Sequence, residues 1–173
     1  MSQQGSKPTR ISLNGYECLV LMFLGIFFAL VIPPFLSKVT KAKQSEARVY
    51  ISSMNKGQEA YFVEKSVFST SVKALGIAIK TETTNYKYSL MATKKATFNY
   101  GVSKQIYLKS YVGGVFVIPA TKVDSNSSKN QITTTSILCQ ADSPGTIKPP
   151  EPTNQNGKIA CAIGTIELTH GYH

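Results

Sequence analysis

Two cysteines near the C-terminus, Cys139 and Cys161, and a third near the N-terminus, Cys18, carry the most distinctive chemistry in this chain. Two thiols so far apart lack the paired spacing that a zinc site needs, and the histidines, His170 and His173, stand at the very end. No metal and no cofactor is therefore expected. In a loop-rich region of a small exported domain, Cys139 and Cys161 read instead as a disulfide. Closing a loop of that length would contribute roughly 3 kcal/mol in the chain-entropy account. Cys18 reads as a small apolar residue at the edge of an apolar run.

Asp124, Asp142, Glu151 and Glu167 would serve as acid and base if folding brought two of them together, but nothing in their spacing does so. There is no nucleotide-binding loop and no Ser-His-Asp order, so no catalytic residue is assigned. The formal net charge of +10 invites a nucleic-acid reading. Lys87, Lys94, Lys95, Lys104 and Lys109 are interleaved with Tyr86, Tyr88, Phe98, Tyr100 and Tyr107, a mixture that suits single strands. The preferred alternative puts the lysines on solvated strand faces, where they guard edges, and packs the tyrosines on a helix. Asn126-Ser127-Ser128 fits a glycosylation pattern that recurs often by chance.

The elements that must position these residues begin with a polar tail, 1–15, in which Gly5 and Pro8 oppose regular structure. Residues 18–36 form a run of 19 without a charge, about 28 Å long as a helix and close to the ~30 Å of a bilayer core. The expectation is a transmembrane segment over 16–36, with the N-terminus cytoplasmic and the rest in the periplasm or a thylakoid lumen. Lysines and arginine just after the run oppose that orientation; the cysteine pair favours it. From 37 to 66 no proline intervenes, and Ala47, Tyr50, Met54, Gly57 and Tyr61 recur at helical steps, predicting an amphipathic continuation of one long helix, bent at Pro33 and Pro34.

A head over 67–173 follows. Segments 86–92, 97–102, 106–119 and 133–140 are rich in aromatic and β-branched residues and predict strands, with a bulge or turn at Gly113 and Gly114. Residues 142–157, with four prolines, predict an extended surface excursion held at both ends by the cysteines. The fold class expected is α+β: a long N-terminal helix, membrane-spanning in its first half, packed on a small antiparallel sheet, with a C-terminal loop closed by a disulfide.

Gly25, Ile32-Pro33 and Phe35 match in spacing the first half of the helix of type IV pilins. Residues 41–69 and 75–89 resemble more closely the pilin-like proteins of cyanobacteria. The resemblance implies a structural, non-enzymatic protein. Two features of the family are missing. Pilins are cut after a glycine, and a glutamate shortly beyond the cut lies in the apolar span. Aligned through Gly25, Pro33 and Phe35, the residue before the cut is Ile11 and the glutamate position is Tyr16. A register with Gly15 before the cut and Tyr16 as the new N-terminus puts Val20 at the glutamate position, and Glu17 falls at neither.

Gly15 and Tyr16 are therefore the processing-site candidates, and Gly25, Ala29 and Pro33 the helix-contact candidates, Gly25 and Ala29 forming a small-residue pair one turn apart. The resulting expectation is an unprocessed pilin-like protein docking laterally on other membrane proteins in the lipid bilayer. Two alternatives are a minor pilin of a pilus or DNA-uptake machine, with pilus subunits as partners, and an accessory subunit of a membrane complex such as a thylakoid photosystem.

Overall fold

The computed structural model describes residues 14–123, 128 and 131–168, except for the side chains of 29–36. The chain divides into two compact units, Met1–Val39 and Thr40–His173.

Helix α1, Gly15–Lys65, runs through both. Its start carries one capping bond beyond the first helical one. Asn14 C=O accepts the N–H of Cys18, while Glu17, three residues on, accepts the N–H of Asn14 at 3.2 Å. This is the returning half of a capping box, and the Glu17 carboxylate also faces the positive end of the helix dipole. At the other end Ser66 turns left-handed (φ 57°) and donates its N–H to Phe62 C=O, closing the last turn.

In the first unit, residues 19–24 and 26–28 are apolar and exposed. The expected transmembrane segment, and with it the single-pass localisation and the membrane-spanning half of the expected fold, are corrected here. Among the described residues no helix is long and apolar enough to cross a membrane.

The second unit is layered. Five strands form an antiparallel sheet in the order β1-β2-β3-β4-β7: β1 Tyr86–Ala92, β2 Ala96–Ser103, β3 Tyr111–Pro119, β4 Ile132–Ala141 and β7 Thr165–Glu167. Two more, β5 Thr153–Gln155 and β6 Lys158–Ala160, form a separate hairpin. Single 3-10 turns, Lys73–Leu75 and Ala120–Lys122, lie in the connections. One sheet face receives residues 47–62 of α1, with Ala47, Ile51, Met54, Asn55, Gln58 and Phe62 buried at helical spacing. Ala47, Ile51 and Met54 share a core with Tyr86, Tyr88, Tyr111 and Leu138.

The opposite face carries Phe98, Tyr100, Val112, Phe116, Ile137 and Cys139, with Ile159 and Cys161 of the hairpin side packed on them. Both faces of the middle strands are thus covered, so six consecutive residues at the start of β2 and of β3 are buried. Strict alternation is lost for that reason.

Three expectations change in detail. Gly113 and Gly114 form neither bulge nor turn; they pair in unbroken register with Leu138 and Ile137. Residues 106–110 belong to the turn before β3, not to the strand. The proline-rich segment is no free excursion, because Pro149 and Pro152 are buried and Pro152 sits against Gly114.

Candidate functional site

The residues with candidate chemistry are recruited into structure one by one. Cys139, buried in β4, is bonded to Cys161 just after β6, with Cα atoms 5.8 Å apart. The bond holds the hairpin against the sheet. That hairpin turns on Asn156 and Gly157, both at positive φ, the two-residue turn that an Asn-Gly pair makes without strain. Cys18 is a free, exposed thiol.

Among the described residues, no hydrogen bond joins two of the candidate carboxylates. Tyr100 donates its hydroxyl to Glu151 at 2.6 Å, and Lys148 lies 3.8 Å from the centre of the same ring. Glu82 is ion-paired with Lys104, whose ammonium holds the carboxyl below its ordinary range. Asp124 lies outside the described residues, as do His170, His173 and the glycosylation pattern at 126–128 apart from Ser128 itself. Among the described residues no group of three or more His, Cys, Asp or Glu could hold a metal.

Among the described residues Glu46 is the carboxylate with the most side-chain hydrogen-bond partners, and spacing gave no hint of it. Its Oε1 accepts the hydroxyls of Thr83 at 2.7 Å and Tyr88 at 3.2 Å, and its Oε2 accepts from Asn85 at 3.4 Å. It borders a cleft shared with Tyr50, Lys80, Glu82, Thr83, Thr84 and Asn85. Three donors on one helix carboxylate tie the segment before β1 to α1.

The aromatic residues of the nucleic-acid reading separate from their lysines. Tyr86, Tyr88, Phe98 and Tyr100 are buried. Burial pushes the phenols of Tyr86, Tyr88 and Tyr100 upward, with the Glu46 carboxylate adding to the shift at Tyr88 and Glu151 at Tyr100. Only Tyr107 of the five is exposed, and its hydroxyl receives Lys43 at 3.1 Å. A row of base-stacking rings is therefore not presented.

Two polar devices on α1 lie between helix and sheet. Asn55 donates to Ile137 C=O at 3.0 Å and accepts from Asn99 at 2.8 Å, spanning from β4 to β2 above the middle strand. Gly113 makes room for it: a Cβ there would overlap the Asn55 side chain and lie 2.7 Å from Ile51. Gln58 forms a two-way clamp with Ser69, receiving its N–H at 2.9 Å and donating to its C=O at 3.0 Å. Their signal in the sequence was polar residues at core-facing helical steps.

The processing candidates Gly15 and Tyr16 occupy the first turn of α1, and Tyr16 is 78% exposed. Gly25 has open space where a side chain would be. The side chains of Ala29 and Pro33 lie outside the described residues.

Among the described residues these features form no catalytic constellation. They build a helix-and-sheet head stapled by a disulfide, with an apolar helix surface left exposed in residues 19–28. Comparison with curated proteins and with solved structures gives no match in either case. Residues 44–162, from the second unit's part of α1 through the disulfide, match the family model for type IV pilin-like G and H proteins. The chain belongs to this type IV pilin-like G and H family, a structural, non-enzymatic kind of protein.

Proposed function

We propose that the protein is a structural subunit that is not cut by prepilin peptidase and that assembles with other pilin-like subunits through residues 19–28 of α1. The observation that carries this reading is the exposure of Leu19, Val20, Leu21, Met22, Phe23, Leu24, Ile26, Phe27 and Phe28, between 39% and 69% each. A continuous apolar surface of this kind marks a place of contact. Apolar helices of neighbouring subunits suit it because they cover all sides of a helix at once. The open space at Gly25 lets one of them approach closely.

Retention of the tail is favoured by the sequence at the family's cut register, where Ile11 stands in place of the glycine and Tyr16 in place of the glutamate. Glu17 is engaged with the N–H of Asn14, a partner that a cut after Gly15 would remove. Intact mass and N-terminal sequencing of protein from its native source test the first half of the proposal: a chain starting at Met1 or Ser2 supports it, and one starting at Tyr16 replaces it with a processed minor pilin. A photo-crosslinking residue at Phe23 tests the second half. Links to a helix of another pilin-like subunit are expected, and the absence of any protein link refutes assembly through this surface.

A further inference from the structure

In the second unit, large apolar side chains stand at turn tips, where they add nothing to the core. Leu108 donates its N–H to Gln105 C=O, so Ile106 and Tyr107 form the tip of the turn between β2 and β3. Thr165 donates to Ala162 C=O across Ile163 and Gly164, and Gly164, at φ 86°, supplies the left-handed corner of that turn. Such tips are ordinarily taken by Gly, Pro, Asn, Asp or Ser. Here Ile106 is 81% exposed and Ile163 100%, and Ile147, in the loop after β4, is 82% exposed.

Backbone bonds brace the three loops against one another at one end of the sheet. Gly145 donates to Leu108 C=O, Ala141 to Ser110 C=O and Asp142 to Gly164 C=O. Each of the three isoleucines lies within two residues of one of these bonds, so the tips are held as a set. The same end is basic. Lys43 reaches the Tyr107 hydroxyl at 3.1 Å, Lys104 and Lys109 flank the first tip, and Lys148 follows Ile147. Glu82 is held by Lys104, and Glu46 is occupied by three donors. Asp142 is the one acidic residue within the loops 104–110, 142–147 and 161–164.

We infer that this end of the head docks on an anionic lipid surface, with Ile106, Ile147 and Ile163 entering the headgroup layer and the lysines lying against the lipid charges. Separate apolar tips can slip between headgroups, whereas a protein partner is matched by a larger continuous patch. A tyrosine with an apolar ring and a polar tip suits the same interface. Lysines beside the tips add electrostatic attraction that falls off within a Debye length of the surface. Contact of this kind stays on one face of a membrane and needs no crossing segment. It is distinct from the subunit contact of residues 19–28 and does not depend on it.

The test uses the full chain with Cys18→Ser and one added cysteine that carries the environment-sensitive fluorophore NBD. On vesicles of phosphatidylcholine and phosphatidylglycerol, the label at Ile163→Cys or at Ile106→Cys is expected to brighten and shift to the blue. The label at Val63→Cys should stay as in water; Val63 is exposed on α1, next to Phe62, which packs with Val115 away from these loops. The shift at 163 should weaken on phosphatidylcholine alone and be lost in high salt. Adding Phe23→Lys should leave it in place, so failure of the helix contact is read separately. No shift on the anionic vesicles, an equal shift on phosphatidylcholine, or an equal shift at Val63→Cys overturns the inference. So does a shift without vesicles, which assigns the tips to a second copy of the chain, or loss of the shift with Phe23→Lys, which makes α1 the element that meets the lipid.

Discussion

Asn99 donates its amide to Asn55 at 2.8 Å directly above Gly113, so helix α1 is locked to the sheet at a point where the middle strand has no side chain. The two residues fix register as well as distance, because Asn55 also reaches Ile137 on the far side of β3. Sliding the helix by a turn would leave buried amides without partners, at about 1–3 kcal/mol for each group.

Gly113→Ala is expected to destabilise the protein by about 1–3 kcal/mol, since the added methyl meets Asn55 and Ile51. Asn55→Ala alone also destabilises, by leaving Asn99 without its partner. In urea titrations the double variant should lose less than the sum of the two, because removing the Asn55 amide makes room for the methyl. Strict additivity would show that the two positions do not compete for the same space.

Cutting the Cys139–Cys161 bond by Cys161→Ala is expected to cost roughly 3 kcal/mol of global stability. The loss should be felt locally first. Amides of β6 Lys158–Ala160 should exchange with solvent faster, whereas those of β2, in the middle of the sheet, keep their order of protection. Equal acceleration in both would mean that the hairpin is integral to the sheet and not merely tethered to it.

Alkaline pH acts through the buried phenols. Burial holds Tyr111 neutral and pushes it up to about 12, despite the nearby Arg48 charge, and raises Tyr86, Tyr88 and Tyr100 beyond that. In the unfolded chain a tyrosine titrates near 10, so above that pH the native state binds more protons. The stability from these groups is complete below about pH 10 and is lost as pH rises through the folded values. Thermal melts should be flat in this respect at neutral pH and fall from about pH 10 upward, with the tyrosinate absorbance near 295 nm appearing together with unfolding. Tyrosinate absorbance well ahead of unfolding would place these rings in contact with water.

Glu46→Ala removes the acceptor for Thr83, Tyr88 and Asn85 and should cost about 1–3 kcal/mol. The segment before β1 should become protease-sensitive, which limited proteolysis with the cleavage sites mapped by mass reads directly. Protection of 80–85 equal to that of the parent protein would assign the anchoring to the Lys104–Glu82 pair instead.

The sequence made the four main strands legible because aromatic and β-branched runs identify a strand without saying what covers it. It did not make the second layer legible. Residues that cover the far face, Pro152 and Ile159, lie in or beside a segment whose prolines suggested solvent. The Asn-Gly turn at 156–157 was its one local sign. The buried helix face was also shifted from the periodic reading. Ala47 and Met54 are buried as the pattern required, but Tyr50, Gly57 and Tyr61 are only half-buried, while Asn55 and Gln58 hold core positions. Polar residues at a core step look like a break in the pattern until their partners, Asn99 and Ser69, are placed beside them. Glu17 shows the same limit: by family spacing it is a displaced glutamate, whereas in three dimensions it caps a helix.

Phe23→Lys separates folding from assembly. Phe23 is 69% exposed, and among the described residues the buried apolar ones all lie at or beyond Ala47, so the core of the second unit is built without it. The charge would have to be stripped of water wherever an apolar helix covers this position, at a cost of several kcal/mol if the contact persists. The melting transition of the head should therefore be unchanged, while the size distribution by light scattering shifts toward monomer. A polar but uncharged change, Phe23→Gln, should fall between the two. If Phe23→Lys assembles as well as the parent chain, the exposed apolar residues of α1 are not the contact.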